Sequence, residues 1–268
     1  MRFVKGHGTE NDFVLLPDPD GEIKLDAELV KALCHRRAGI GADGVIRVVP
    51  AEREPEAAEQ VHAAKWFMDY YNSDGSIGEM CGNGSRVFAR YLFEQGWEST
   101  PEFSIATRAG VKQVRMSEDV ISVDIGEATF GSATSTAVSG TVFPGNAVFT
   151  GNAHLVCVTD VPVDVLDLTV APPLDAEIFP HGANVEFVNV ISPTEVRMRV
   201  FERGSGETRS CGTGATAVGA WVLGNKPGSV TVHVPGGTLG VSSDGVSCQL
   251  SGPAVLIATG QWRGSQDA

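Results

Sequence analysis

The sequence predicts an α+β fold of two pseudo-symmetric domains, each a curled, mostly antiparallel sheet or barrel around one central helix. Three observations carry this reading. A Cys-Gly-x-Gly motif that opens a helix-like run occurs twice, at Cys81 and at Cys211. The flanks match in the same order, Asn11-Asp-Phe-Val-Leu with Asn152-Ala-His-Leu-Val upstream, and the segment around Gly110 with that around Gly237 downstream. The 32 glycines fall in short turn-like clusters, as expected of many tight connections between short strands. One match would be coincidence, but three in order point to an internal duplication.

The elements follow from local pattern. Residues 2–5 and 12–16 read as a strand pair. Leu29, Val30 and Leu33 share one face of a helix over 26–37. Segments 44–49 and 65–71 read as strands. The stretch 51–64 is acidic, alanine-rich and without an apolar face, so a loop or a poorly ordered segment is expected. A helix over 83–95 turns Val87, Phe88, Tyr91 and Leu92 to a core, and Gly96 ends it. Strands are expected at about 120–125, 139–149, 153–158, 184–190, 195–201, 230–234, 238–241 and 246–250. The run 213–223 is nearly all apolar, so that helix should be buried all round. The halves divide as 1–126, carrying Cys81, and 127–268, carrying Cys211. A last strand around 254–260 is free to pack back on the first half.

Composition excludes several classes. With 42% apolar and 20% charged residues the chain is expected to be globular. A net charge of −13 repels phosphate backbones and anionic membranes, so neither nucleic acid nor a membrane is an expected partner. The start, Met-Arg-Phe-Val-Lys-Gly-His-Gly, lacks the apolar run of a signal peptide. No segment approaches the roughly 20 apolar residues of a spanning helix, and a cytoplasmic protein is expected. Five scattered cysteines (Cys34, Cys81, Cys157, Cys211, Cys248) without a Cys-x-x-Cys pair give no disulfide scaffold and no metal site.

Cys81 and Cys211 are the exceptions to a default of inert, buried thiols. Each precedes a helix start, where unsatisfied backbone N–H groups and a partial positive charge favour a thiolate. The same N–H groups can hold a carboxylate or an enolate-like oxygen. If the halves face each other, one thiolate can remove a proton from a carbon while the opposite thiol delivers one. The carbon is then inverted without pyridoxal, metal or other cofactor.

At this point the chain resembles the diaminopimelate epimerases. The resemblance runs from Lys5-Gly-His-Gly-x-x-Asn11-Asp through Arg37-Ala-Gly-Ile-Gly-Ala-Asp43-Gly, Tyr71-Asn72-Ser-Asp-Gly-Ser and Met80-Cys81-Gly-Asn-Gly. It continues over Gly151-Asn152-Ala-His154, Ala183-Asn184-Val-Glu and Glu202-Arg203-Gly-x-Gly-Glu-Thr-x-x-Cys211-Gly-Thr-Gly. It implies a homodimer that interconverts LL- and meso-diaminopimelate in lysine and peptidoglycan biosynthesis, with the site in a cleft between the halves. Cys81 and Cys211 are implied as the catalytic pair, with Glu202 and His154 beside the reacting centre. The backbone at Gly82, Asn83, Gly212 and Thr213 is implied to hold the reacting carboxylate. Asn11, Asn72, Asn152, Asn184 and Arg203 are implied to recognise the rest of the substrate. Their chemistry suits a second amino acid head, because asparagine both donates and accepts and arginine offers a fork to a carboxylate. The chain departs from many family members at Ala153, where they carry Pro, and at Gly44, where they carry Gln.

Rival readings are a proline or hydroxyproline epimerase, which shares the paired cysteines, and a phenazine-type isomerase, which lacks them. A thiol hydrolase using Cys81 with His154 would leave Cys211 idle. A redox sensor would pair Cys81 with Cys211 as a reversible disulfide, and oxidative inactivation is compatible with the epimerase.

Overall fold

A computed structural model describes residues 1–224 and 226–264. In chain order the strands and helices are β1 (Arg2–Gly8), β2 (Asn11–Pro17), α1 (Ala27–Cys34), β3 (Gly44–Pro50), β4 (Trp66–Asn72), α2 (Gly82–Glu94), β5 (Glu102–Thr107), β6 (Gly110–Ser117) and β7 (Val120–Gly126). There follow β8 (Thr129–Val138), β9 (Thr141–Phe149), β10 (Ala153–Val158), β11 (Asn184–Ser192), β12 (Glu195–Glu202), β13 (Gly206–Thr208), α3 (Gly212–Leu223), β14 (Gly228–Val234), β15 (Gly237–Ser243), β16 (Cys248–Pro253) and β17 (Val255–Gln261). The chain forms two compact units. One holds residues 1–123 and the chain from Pro253 onward; the other is Asp124–Gly252.

In the first unit β17 pairs antiparallel with β1, and β1 with β2. β2 runs parallel to β3, β3 antiparallel to β4, β4 parallel to β5, and β5, β6 and β7 form antiparallel hairpins. Helix α2 fills the curl. Its Val87, Phe88, Tyr91 and Leu92 are buried with Phe13, Leu15, Ile46, Val48, Met68 and Ile105. The i, i+1, i+4, i+5 spacing of those four places them on one face, as a core-facing helix requires. Past α2, Gly96 takes a positive φ of 69°.

The second unit repeats the ladder. β8 pairs antiparallel with β9 and β9 with β10. β10 runs parallel to β11, β11 antiparallel to β12, β12 parallel to β14, and β14, β15 and β16 continue antiparallel. The succession matches that of the first unit pairing by pairing, with β17 standing where β8 stands. The duplication seen in the motifs is thus a duplication of the whole hydrogen-bond ladder, mixed in direction at the same two places. Helix α3 ends at Gly224, whose φ of 59° and ψ of 43° place it in the left-handed region.

Several expectations change. Residues 51–64 are not a bare loop: Ala51–Arg53 and Pro55–Ala57 form single 3-10 turns, and Ala51, Ala57 and Ala64 are buried with Val49, Phe67 and Ala106. Alanines cover a small apolar patch without the period of a helix. Strands also form at β5, β6, β8 and β13, whose polar, short or glycine-containing sequences give little strand signal. The stretch 139–149 starts as a turn at Ser139-Gly140, both with positive φ, and only then becomes β9. In α3, residues Trp221 to Leu223 are half-buried, so the burial is not all round. Among the described residues no helix is long and apolar enough to cross a membrane.

Candidate active site

In the first unit the sequence Met80-Cys81-Gly-Asn-Gly leads into α2 with Cys81 as the N-cap, in extended conformation (φ −137°, ψ 120°). Gly84 lets the first turn of α2 lie close on the sheet, because a Cβ there would stand 2.9 Å from the Met68 side chain. The Cys81 Sγ accepts from the Gly84 N–H at 3.4 Å and donates to Asn11 Oδ1 at 3.8 Å. The Asn11 amide is fixed at both ends. Its Nδ2 donates to Asp43 Oδ2 at 2.8 Å, and its Oδ1 accepts from Asn83 Nδ2 at 3.1 Å. Asn83 Oδ1 in turn accepts from Arg86 Nη2 at 2.9 Å. A carboxylate at one end and a guanidinium at the other dictate which way both amides point.

Asp12, next along β2, is held by Lys5 at 2.6 Å and by both terminal nitrogens of Arg36 at 2.8 and 2.7 Å. Burial alone would raise its carboxyl, but these hydrogen bonds outweigh it and hold Asp12 at about 2. The neighbouring Asp43 is pushed up by burial and by the Asp12 charge. Asn72, at the end of β4, accepts from the Tyr70 hydroxyl at 2.7 Å and donates to Ser76 Oγ at 3.0 Å. The Tyr70 ring occupies the space above Gly44, where a Cβ would come within 2.7 Å of it. A side chain at position 44 has no room beside this tyrosine.

The second unit carries the same cap with different surroundings. Cys211 caps α3 (φ −122°, ψ 117°), accepts from the Gly214 N–H at 3.3 Å, and lies 3.5 Å from Thr213 Oγ1. Asn184 Nδ2 donates to its sulfur at 3.6 Å, while Asn184 Oδ1 accepts from the Arg203 N–H at 3.0 Å. The Arg203 guanidinium turns to the His181 carbonyl at 2.9 Å. Glu202, at the end of β12, accepts from the Thr208 hydroxyl and from the Cys211 thiol. Burial pushes the Glu202 carboxyl up; these two hydrogen bonds pull it part of the way back. Burial also pushes the Cys211 thiol well up, and the charges of Glu202 and Glu186 push it further.

Behind Cys211 lies a fully buried pair. His154 Nδ1 is 2.7 Å from Glu186 Oε1, and both side chains have 0% exposure. The His154 Nε2 is 2.9 Å from Asn152 Oδ1, and Glu186 Oε2 has no hydrogen-bond partner among the described residues. Gly214 permits this arrangement, because a Cβ there would stand 2.5 Å from Glu186 Oε1.

The residues singled out in the sequence thus form two half-sites. One holds Cys81, Gly82, Asn83 and Asn11, with Asn72 at a nearby strand end. The other holds Cys211, Gly212, Thr213, Asn184, Glu202, His154 and Asn152. Arg203 joins the second through its backbone rather than its fork. Each half-site can offer the first amides of a helix to a carboxylate, because no helix carbonyl reaches them. Three side chains were missed. Arg86 looks like one more polar residue in a mixed helix, and Asp43 like a loop carboxylate. Glu186 had a usable signal: a carboxylate alternating with Val185 and Phe187 in an apolar strand requires a buried partner.

Comparison with known proteins agrees with the motifs. A family model described as diaminopimelate epimerase matches residues 3–131 and 146–257. The chain is 49% identical over 271 residues to the diaminopimelate epimerase of Thermobifida fusca, covering 98% of each. It is 47% identical to that of Rhodococcus opacus, covering 97% of this chain and 96% of the relative. Among solved structures, a predicted epimerase of Pseudomonas aeruginosa superposes with a TM-score of 0.72 at 16% identity, covering 98% of this chain and 99% of that one. A hydroxyproline epimerase of Agrobacterium vitis with bound trans-4-hydroxy-L-proline gives 0.69 at 15%, with 97% and 91% covered. A phenazine biosynthesis protein of Bacillus anthracis, of the PhzF family, gives 0.70 at 17%, with 97% of each covered. At such identities these structures show the fold alone.

Proposed function

This chain belongs to the diaminopimelate epimerase family, and on that premise we propose that it interconverts LL- and meso-diaminopimelate with Cys81 and Cys211 as the proton-transferring pair. The observation that carries the reading is the repeated cap: each cysteine sits at the N-cap of its unit's central helix and accepts an amide from that helix. A thiolate there gains from the helix field, and the flanking amides can share the charge that develops on a substrate carboxylate. Inversion needs a base on one face of the α-carbon and an acid on the other. Two thiols supply both roles, so no cofactor enters the scheme.

In this reading Glu202 and His154 lie beside the reacting centre, where they orient the thiols and the amino group, and the amides of Gly82, Asn83, Gly212 and Thr213 hold the reacting carboxylate. Asn11, Asn72, Asn152 and Asn184 complete a polar surround for the distal head, with Arg203 beside it. Such a surround rejects single-headed amino acids because its own groups would be left unpaired. A homodimer, by resemblance to the family, belongs to the same proposal, as do a cytoplasmic location and inactivation by oxidation of the two activated thiols of Cys81 and Cys211.

The test is proton exchange. The reduced protein is incubated with LL-diaminopimelate in heavy water and the α-hydrogen signal is followed by NMR. The expected result is loss of that signal with appearance of the meso isomer, abolished in both Cys81→Ala and Cys211→Ala. Exchange with proline or hydroxyproline but not diaminopimelate would replace the substrate, and no exchange with any of them would overturn the reading.

A further inference from the structure

The two units share one ladder, so their side chains and loops can be compared position by position. Phe13 faces Gly44 in the β2–β3 pair, and His154 faces Asn184 in the β10–β11 pair. Two residues on, Ile46 faces Tyr70 and Glu186 faces Val200. The correspondence continues through the loops that lead to the cysteines. After β4 the chain turns back on itself: the Asn72 N–H donates to the Ser76 carbonyl, Tyr71 bridges to Ile77, and the Gly78 N–H donates to the Tyr70 carbonyl. After β12 it does the same, with Glu202 facing Gly206, Phe201 facing Glu207 and Val200 facing Thr208. Asn72 and Glu202 each stand nine residues before their cysteine. Each loop therefore begins and ends on a residue of the candidate site.

A hairpin of the same unit grips each loop at the same point. In the first unit the turn between β5 and β6 brings the Ala109 N–H to the Glu79 carbonyl at 3.3 Å. In the second the turn between β14 and β15 brings the Gly236 N–H to the Arg209 carbonyl at 2.9 Å. Both carbonyls lie two residues before the cysteine, and both N–H groups lie one residue before the glycine that the repeat aligns, Gly110 or Gly237. An arginine backs each grip, from opposite sides. Arg108, on the hairpin, donates through Nη1 to the Tyr70 carbonyl at 3.2 Å and to the Gly78 carbonyl at 3.4 Å, so one nitrogen spans both sides of the loop's base. Its Nη2 is anchored on the buried Asp69 at 2.6 Å, and its guanidinium lies 5.4 Å from the centre of the Tyr71 ring. Arg209, on the loop, reaches back through Nη2 to the carbonyl of Pro235, which stands where Arg108 stands in the first unit, at 2.8 Å. The side chains that close the joint differ, and what both units keep is the closed joint itself.

We propose that the two hairpin turns are matched clamps for the two-cysteine reaction, with Arg108 and Arg209 as positioning residues: Arg108 fixes Cys81 relative to Asn72, and Arg209 fixes Cys211 relative to Glu202. This deepens the two-cysteine reading and rests on it for its catalytic meaning. Each helix cap secures its cysteine from one side, because the Gly84 and Gly214 amides come from the chain that follows. The chain that precedes, residues 79–81 and 209–211, lies outside every strand and helix. The clamp supplies the hold on that side. Proton transfer needs the sulfur within hydrogen-bond reach of the carbon-bound proton, and a misplacement of about 1 Å costs about a hundredfold in rate. A hairpin anchored in the sheet of its own unit is a rigid support of the kind such placement requires.

The experiment compares the reduced full chain with Arg108→Met, Arg108→Lys, Arg209→Met and Arg209→Lys. Native alkylation at neutral pH is timed for each cysteine by peptide mass mapping, and kcat and KM are taken from exchange with diaminopimelate. Arg209 is exposed, so Arg209→Met keeps the fold; Arg108→Lys leaves a cation beside Asp69 and replaces Arg108→Met should that variant not fold. The expected result is a crossed pattern. Arg108→Met should speed alkylation of Cys81 by about five- to tenfold, the local opening that a lost net hydrogen bond allows, and leave Cys211 and Cys34 unchanged. Arg209→Met should do the same for Cys211 and leave Cys81 and Cys157 unchanged. Exchange should slow by about tenfold to a hundredfold in both, with kcat falling because a reacting thiol is misplaced, and the lysine variants should recover part of each loss. A role in stability alone would speed the thiols of the altered unit together, Cys34 with Cys81 or Cys157 with Cys211, and that pattern overturns the proposal. Unchanged rates at Cys81 and Cys211, full exchange activity, or a loss confined to KM in the folded variants would overturn it as well. A crossed alkylation pattern in a protein that shows no exchange at all would sink the epimerase and leave the clamps standing as holds on the two thiols.

Discussion

The carboxylate of Glu186 and the imidazole of His154 meet at 2.7 Å with both side chains wholly closed to solvent. The equivalent positions of the first unit hold Ile46 and Phe13, also wholly buried. The same scaffold therefore accommodates either an apolar pair or an ionisable one, and the choice tells what the second pair is for.

Removing one partner alone should be costly. Glu186→Ala is expected to destabilise by about 3–5 kcal/mol, because it leaves His154 buried without its acceptor. The double change Glu186→Ile with His154→Phe, which copies the first unit, should be neutral or stabilising in urea titration while abolishing exchange. If the double variant is as unstable as Glu186→Ala, the pair serves the fold rather than the site.

Glu202 should impose a pH-dependent penalty on stability. Its carboxyl is raised above the ordinary value of 4.5, first by burial, so the folded state binds a proton more tightly than the unfolded state. Its contribution is present in full below the unfolded value and is lost as pH rises through the folded one. Glu202→Gln should therefore raise the melting temperature at neutral pH, have little effect in acid, and still lose activity. Thermal scans across pH test the sign.

Asp12 should act in the opposite sense. Its value of about 2 against 3.8 unfolded gives stability present above the unfolded value and lost as pH falls through the folded one. Asp12→Asn should lower stability at neutral pH and flatten the acid limb between those two values, as read by fluorescence during acid titration.

The remaining thiols should be inert in the native protein. Burial pushes Cys34 and Cys157 up to about 12 and raises Cys248 as well. Brief alkylation at neutral pH followed by peptide mass mapping should find Cys34, Cys157 and Cys248 unmodified, whereas all five cysteines react after denaturation. Native modification of Cys34 or Cys157 would mean that those thiols are less enclosed than the fold implies.

Much of this was legible in the sequence because it repeats. The cysteine caps, both central helices and most core strands announce themselves through motif spacing and apolar period, and the position of Asn11 and Asn152 follows from the repeat. Strand β8 escaped notice because its outward face is Thr, Gly, Ser and Ala, and an edge strand of small polar residues carries no alternation. The segment 51–64 escaped because alanines bury without a hydrophobic signal. Arg86 and Glu186 escaped for a different reason. Each owes its role to partners distant in the chain, and a repeat search rewards what the halves share, whereas these two lie where the halves differ.

The order of strands has a consequence for synthesis. β17 fills in the first unit the place that β8 fills in the second, yet it is separated from β1 by the whole of the second unit. The second unit is one uninterrupted stretch and can complete its ladder as soon as it emerges. The first must wait with the flank of β1 unpaired, and the Arg86 guanidinium without its Pro253 carbonyl. Cotranslational assembly usually proceeds from the N-terminus. Here the earlier-made unit is the later one to close, which exposes the β1 edge to mispairing for the longest interval in the life of the nascent chain.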